Sequence, residues 1–375
     1  MTTTTDSTAT DRAARRSVAR VWLRSRFPSA AFIVATGLLM ASVLIQLQGY
    51  QPVPTIWAGV EYAVGDPVSI ARTLVWGVPL YVAGLGVALA FRAGMFNLGA
   101  EGQIYAGAMA AALTGAYIGP IFTGLHLLLA VMAAAVAGGL IAAALGWLRA
   151  AWGVDEVLST LLSNYIVVLF CAYLATGPLK DPSRQSGTTK EVHDTAMFPE
   201  LAARTGLTGA VFVVIALGIA VWWVSERSVA GYRWRMTGES PHFAQAVGIS
   251  VFRSRVMSML VSGALCGVAG ALLVTASQGR FWTEIGSGIG WDAVLVALIG
   301  RARIIPTMGW VTIYCLMRGM ARGIEQVSTV PAELSLILIG GIIIAASARL
   351  GLVRSFESLR RRFAFARKGH PHGVA

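Results

Sequence analysis

Six polar side chains stand in stretches otherwise apolar enough to cross a membrane: Asn97, Glu101 and Gln103 in one, Thr160 and Asn164 in a second, Asp292 in a third. The chain contains two asparagines, and both fall in such stretches. An amide in hydrocarbon must find a partner or face water. A charge at mid-bilayer costs at least about 2.5–3.5 kcal/mol on insertion scales, so those retained line a pathway or pair internally. Asn97 and Glu101 are four apart and share one helix face. Three glycines around them, Gly94, Gly99 and Gly102, weaken the helix and admit another backbone. Two readings stay open here: the wall or hinge of a cavity, or a helix-packing knot closed by internal hydrogen bonds. Glu156, Thr160, Ser163 and Asn164 form a polar stripe on an apolar helix, of the kind that faces a partner helix or a water-filled route. Asp155 and Glu156 also stand where carboxylates cap a helix N-terminus, and capping is the reading favoured for at least one of them.

Other chemistry is missing from the sequence. Its three lysines, Lys180, Lys190 and Lys368, follow Leu179, Thr189 and Arg367, so none completes the Gly-Lys-[Ser/Thr] of a phosphate-binding loop. If ATP drives this protein, another chain hydrolyses it. Cys171, Cys266 and Cys315 are far apart in apolar runs, which suits small buried hydrophobes rather than a disulfide framework or metal site. The five histidines form no HExxH, and no nucleophile elbow or carboxylate cluster supports an enzyme.

The elements that must position the six polar residues follow from composition. Of 375 residues, 56% are hydrophobic and 13% charged, which excludes a disordered chain and leaves too few charges to cover a soluble globule. Ten segments read as candidate membrane helices: 28–48, 70–90, 96–118, 121–148, 156–177, 207–225, 256–277, 288–300, 305–322 and 333–350. The eighth is too short to span alone and reads as a broken or re-entrant piece. The expected architecture is an all-α polytopic bundle over 28–350, between an Arg-rich tail at 1–27 and a basic tail at 351–375, with both termini cytoplasmic. The net charge of +12 taken alone suggests nucleic acid or an anionic membrane surface as partner. Placed on this topology, 22 of the 30 Lys and Arg fall on the cytoplasmic side, as the positive-inside rule requires. That leaves no case for nucleic acid, and lets the tails touch anionic lipid.

Two loops are long. The 178–206 loop falls outside. The 226–255 loop falls inside and holds Gly238-Glu239-Ser240-Pro241-His242-Phe243-Ala244-Gln245-Ala246-Val247-Gly248. Ser-Pro suits a helix start and Gly248 its end, so a helix of about two turns is expected, with Phe243 and Val247 on one face. Gly263 and Gly267, Gly115 and Gly119, and Gly319 and Gly323 have the spacing that permits close helix packing.

Four motifs in order resemble the permease subunits of ATP-binding cassette importers, in the branch shared by ribose, nucleoside and branched-chain amino acid systems. Residues 94–103 are similar to the family's G-x-x-N-[LI]-G-x-E-G segment. Gly153-Val154-Asp155-Glu156-Val157 through Asn164-Tyr165 looks like the G-x-N-E-V…N-Y stretch of nucleoside-type permeases, with Asp155 replacing Asn and Ser163 replacing Leu. The 238–248 segment resembles the loop that docks on the ATPase, with Ser240 where Asn is common, and Gly290-Trp291-Asp292 through Gly300 resembles the G-[FW]-D-x-I-A-V-A-L-L-G segment. The resemblance covers roughly 70–350.

It implies a translocation pathway for nucleosides, with Asn97, Glu101, Gln103, Thr160, Asn164 and Asp292 along it. It also implies coupling to an ATPase through Gly238, Glu239, Ser240, Pro241, Phe243, Ala244, Val247 and Gly248. The implied partners are one or more ATPase chains carrying the ATP and magnesium, a second and non-identical permease, and an extracytoplasmic substrate-binding protein; this chain itself binds no cofactor. Ribose-type sugars or branched-chain amino acids are the alternative cargo. A self-contained transporter using Glu101 or Asp292 for proton coupling is the alternative class.

Overall fold

In a computed structural model the described residues are 39–327, apart from 40, 41, 44, 48, 120, 185, 186, 203, 204 and 287. The Arg-rich tail at 1–27, most of the expected span at 28–48, the span at 333–350 and the tail at 351–375 lie outside them. The chain divides into two compact units. The first comprises residues up to Tyr62 and from Arg318 onward. In it, α1 (Pro52–Val64) packs through Gly59 and Tyr62 on Met320, Gly323 and Ile324 of α11 (Ile304–Val327). No apolar run of spanning length marks α1 in the sequence.

The second unit, Ala63–Met317, is a bundle of mostly apolar helices. Its members are α2 (Pro67–Arg92), α3 (Ala100–Tyr117), α4 (Thr123–Trp152), α5 (Glu156–Thr176), α6 (Ala210–Arg227), α7 (Val229–Glu239), α8 (Pro241–Ala246), α9 (Val251–Leu273), α10 (Ile289–Ile299) and the start of α11. Among the described residues, five helices are long and apolar enough to cross a membrane: α2, α4, α5, α6, and α9 with the π-helical turn Val274–Gln278 that extends it. The 178–206 segment is not wholly irregular. It carries a 3₁₀ turn (Asp194–Ala196) and the first strand of a small antiparallel ribbon, β1 (Glu200–Ala202) with β2 (Leu207–Thr208).

Local chemistry sets the helix starts. Asp66 accepts from the Ser69 amide at 2.6 Å and Pro67 follows at the first helical position, so α2 begins there. That amide holds the Asp66 carboxyl below the usual carboxylate range. Asp155 accepts from the Leu158 amide at 2.9 Å and caps α5, as the acidic pair suggested, while Glu156 pairs with Arg149 at 2.9 Å.

The central post is α9, which packs on α2, α3 and α4. Small residues let the backbones meet. A Cβ on Gly263 would strike Ala142 and the Gly138 carbonyl of α4. A Cβ on Gly267 would strike the Ala134 carbonyl, and one on Gly270 the Ile104 carbonyl of α3. Of the expected close-packing pairs, Gly263 and Gly267 therefore make the helix interface, whereas Gly119 has nothing within 4 Å. Without a hydrophobic drive between helices in lipid, such contact is what holds them. Gly267→Leu is expected to separate α9 from α3 and α4. Detergent-solubilised variant should show no monodisperse folded peak, and a wild-type chromatogram would refute the assignment.

In α5 the usual amphipathic pattern is inverted. Its buried residues are Glu156, Thr160, Asn164, Cys171 and Ala175, while Leu162, Tyr165, Ile166, Leu169, Phe170 and Tyr173 are exposed. A helix whose polar stripe faces protein and whose aromatic and aliphatic face points away is built for lipid.

Candidate functional site

Between α2 and α3 the chain leaves the helix for residues 93–99 and makes an elbow. Met95 anchors it, buried among Ala90, Ala142, Leu145 and Met259. Two residues on, the Asn97 side chain is fully enclosed and uses all its hydrogen-bonding capacity. Its Nδ2 donates to Gln103 Oε1 and Ser262 Oγ, each at 2.9 Å; its Oδ1 accepts from Gln103 Nε2 at 2.9 Å and from the Gly99 amide at 3.1 Å. Elbow, α3 and α9 are thereby tied at one point.

The helices flanking this point start on glycine caps with no side-chain acceptor of their own, Gly99 for α3 and Gly288 for α10. Neighbouring helices supply the acceptors. Asn164 of α5 accepts from the Gly102 amide at 2.8 Å and donates to the Leu98 carbonyl at 2.6 Å. Thr160 Oγ1, one turn earlier, accepts from the Leu98 amide at 3.2 Å. Glu101 of α3 receives the Gly288 amide at 3.1 Å on one carboxylate oxygen and the Gly290 amide at 2.6 Å on the other. A carboxylate at a helix start meets the positive end of the macrodipole and two orphan donors. The shortness of α10 is thus matched by a cap from outside its own sequence. The chain reaches it through the π-helical turn and an irregular stretch, a broken-helix arrangement tolerated at membrane depth only inside protein or along a cavity.

The structure therefore brings together Asn97, Glu101, Gln103, Thr160 and Asn164. Asp292 sits in the first turn of α10, half-buried, two residues beyond the second amide that Glu101 caps. Ser262 completes the set without having stood out in the sequence, although a serine inside an apolar span carries the same signal as the two asparagines.

At the end of α2 a second module begins. Glu226, at the end of α6, pairs with Arg92 of α2 at 2.5 Å and with Arg235 of α7 at 3.5 Å. The helix α7 lies within the 226–255 loop, where only the shorter α8 was expected; Ser228 caps it. Next, Ser240 caps α8, Pro241 opens it, and Gly248 turns away from it at φ +81°, as the Ser-Pro and Gly positions suggested. Ala244 is buried, but Phe243 and Val247 are 54% and 52% exposed, so an apolar pair stands uncovered among the described residues. The α7–α8 corner rests on the elbow through two glycines. Gly94 has φ +73°, and a Cβ on it would lie 2.9 Å from the Gly238 Cα. A Cβ on Gly238 would strike the Arg92 carbonyl oxygen. No side chain fits between them, so the end of α7 is in direct backbone contact with the elbow that holds Asn97.

Residues 69–347 match the family described as branched-chain amino acid transport system / permease component. The chain belongs to this permease family. It is 30% identical over 347 residues to the guanosine ABC transporter permease protein NupP of Bacillus subtilis, covering 88% of this chain and 95% of that one. It is 28% identical over 369 residues to the glucose ABC transporter permease protein TsgB13 of Haloferax volcanii, covering 95% and 94%. It is 27% identical over 323 residues to the nucleoside ABC transporter permease protein NupB of Lactococcus lactis, covering 83% and 87%. No solved structure matches it. With five apolar helices of spanning length among the described residues, this permease is a multi-pass membrane protein and a transport component.

Proposed function

We propose that this permease forms half of the translocation pathway of an importer in the cytoplasmic membrane and that its cargo is a nucleoside. A second permease chain supplies the other half. Separate ATPase chains, holding ATP and magnesium, dock on α8 from the cytoplasm, and an extracytoplasmic binding protein delivers the cargo. The observation that carries the coupling role is the α7–α8 corner: a short helix with an exposed apolar pair follows directly on Gly238 of α7, which is in backbone contact with the elbow. Such a rigid element can pass the closure of an ATPase into a helix bundle. Asn97, Glu101, Gln103, Thr160 and Asn164 frame the pathway by fixing the starts of α3 and α10, and Asp292 stands beside that frame.

For the cargo, two relatives named for guanosine and nucleosides support a nucleoside. The relative named for glucose keeps a sugar as the second reading. Competitive uptake decides. Unlabelled nucleosides are expected to block labelled nucleoside entry, with sugars and leucine without effect; competition by glucose or leucine alone overturns the assignment. Collapse of the proton gradient at constant ATP should leave uptake intact, and its loss would instead support a proton-coupled transporter.

A further inference from the structure

A cleft of about 320 Å³ lies between α7 and the start of α9; neither the residues of the frame around Asn97 nor the exposed pair Phe243 and Val247 line it, although Gly248, next to Val247, does. Its walls include Arg233, Trp234, Ile249, Arg253 and Met257, and no carboxylate is among the residues lining it. Three other arginines near this end are paired: Arg92 and Arg235 with Glu226, Arg149 with Glu156. Arg233 and Arg253 are exposed and make no ion pair or guanidinium hydrogen bond among the described residues. Two guanidinium groups sharing a cleft without a counter-charge repel one another and favour an anion between them. Guanidinium geometry suits phosphate oxygens bidentately.

The wall beside them narrows the choice. Arg253 is the third residue of α9, which runs on into a span of membrane-crossing length and hydropathy, so it stands at the level where headgroups lie. Met257 lines the same cleft one turn deeper and is 43% exposed. A cationic mouth that continues into an apolar, outward-facing wall matches an amphiphile. A soluble anion or an acidic protein side chain would have no use for the Met257 side. We propose that this cleft binds the phosphate of an anionic phospholipid of the cytoplasmic leaflet, with its acyl root along Met257. The proposal rests on the orientation given above, with α7 and α8 on the cytoplasmic side.

The test uses the full importer complex in phosphatidylcholine nanodiscs doped with phosphatidylglycerol, with bound lipid counted by native mass spectrometry. Wild-type complex should retain phosphatidylglycerol. The double variant R233Q/R253Q should lose it roughly tenfold or more, given what each basic group contributes near an anionic surface. R233K/R253K, which keeps charge without the planar fork, should be intermediate. Both arginines are exposed and unpaired, so the variants should melt as wild type, and Arg227→Gln serves as a control that leaves retention unchanged. Equal retention by R233Q/R253Q overturns the proposal. Displacement of the lipid by inorganic phosphate assigns the cleft to a soluble anion and overturns it also. Loss of the ATPase chains from the double variant with lipid retention unchanged assigns the arginines to a protein carboxylate and likewise refutes the lipid site. Lipid counting needs no transport, so failure of the nucleoside reading leaves this result standing, and labelling of a cysteine placed at Gln245 reports the orientation separately.

Discussion

Phe243→Asp is expected to abolish ATP-driven uptake while the chain still inserts and folds. The residue is 54% exposed and lies in the first turn of α8, where a carboxylate is tolerated by the helix dipole, so the fold loses little. What is lost is the apolar seat for the partner. Truncating a buried aromatic anchor at an interface commonly costs about 2–4 kcal/mol, and burying an unpaired charge adds to it. Uptake should therefore fall by roughly a hundredfold or more, together with co-purification of the ATPase chains. Gly238→Leu should separate docking from transmission. It leaves the α8 face intact but drives a side chain into the Arg92 carbonyl and the Gly94 backbone. The ATPase chains should still co-purify, and uptake should be lost. Wild-type uptake in both variants would remove α8 and the contact of Gly238 with the elbow from the coupling path.

The second large effect is expected at Glu101. Its two carboxylate oxygens receive two amides at the start of α10, and hydrogen bonds to a charged group contribute about 1.5–3 kcal/mol each. Glu101→Gln keeps the size but presents an amide NH₂ to one backbone donor, so one bond is replaced by a donor facing a donor. Glu101→Leu leaves both amides without an acceptor, at about 1–3 kcal/mol for each if buried. Thermal unfolding in detergent should shift down for Glu101→Gln and further for Glu101→Leu, with uptake falling in the same order. A Glu101→Gln protein that melts as wild type yet has lost uptake would contradict a capping role and favour a proton-carrying one.

Much of the scaffold could be read from periodicity and composition. Runs of apolar residues of the required length mark α2, α4, α5, α6 and α9, because a membrane span is a local property of about 20 consecutive residues. The short α8 was equally legible, since Ser240, Pro241 and Gly248 are local start and stop signals. By contrast α1 and α7 were not legible, being neither long nor uniformly apolar.

The site divides in the same way. Sequence alone determined which polar residues are out of place in apolar spans, and that Thr160 and Asn164 share a face; Asn97, expected on one helix face with Glu101, instead lies in the elbow before α3 begins at Ala100. The sequence left open whether each faces a cavity or a neighbour. Only the tertiary structure decided that Asn97 closes on Gln103 and Ser262, that Asn164 caps α3 and that Glu101 caps α10. The physical reason is that these caps are given in trans. A helix that starts on Gly99 or Gly288 carries no acceptor of its own, so its partner comes from a residue about 60 to 190 positions away, brought there by the close packing of α9 against its neighbours.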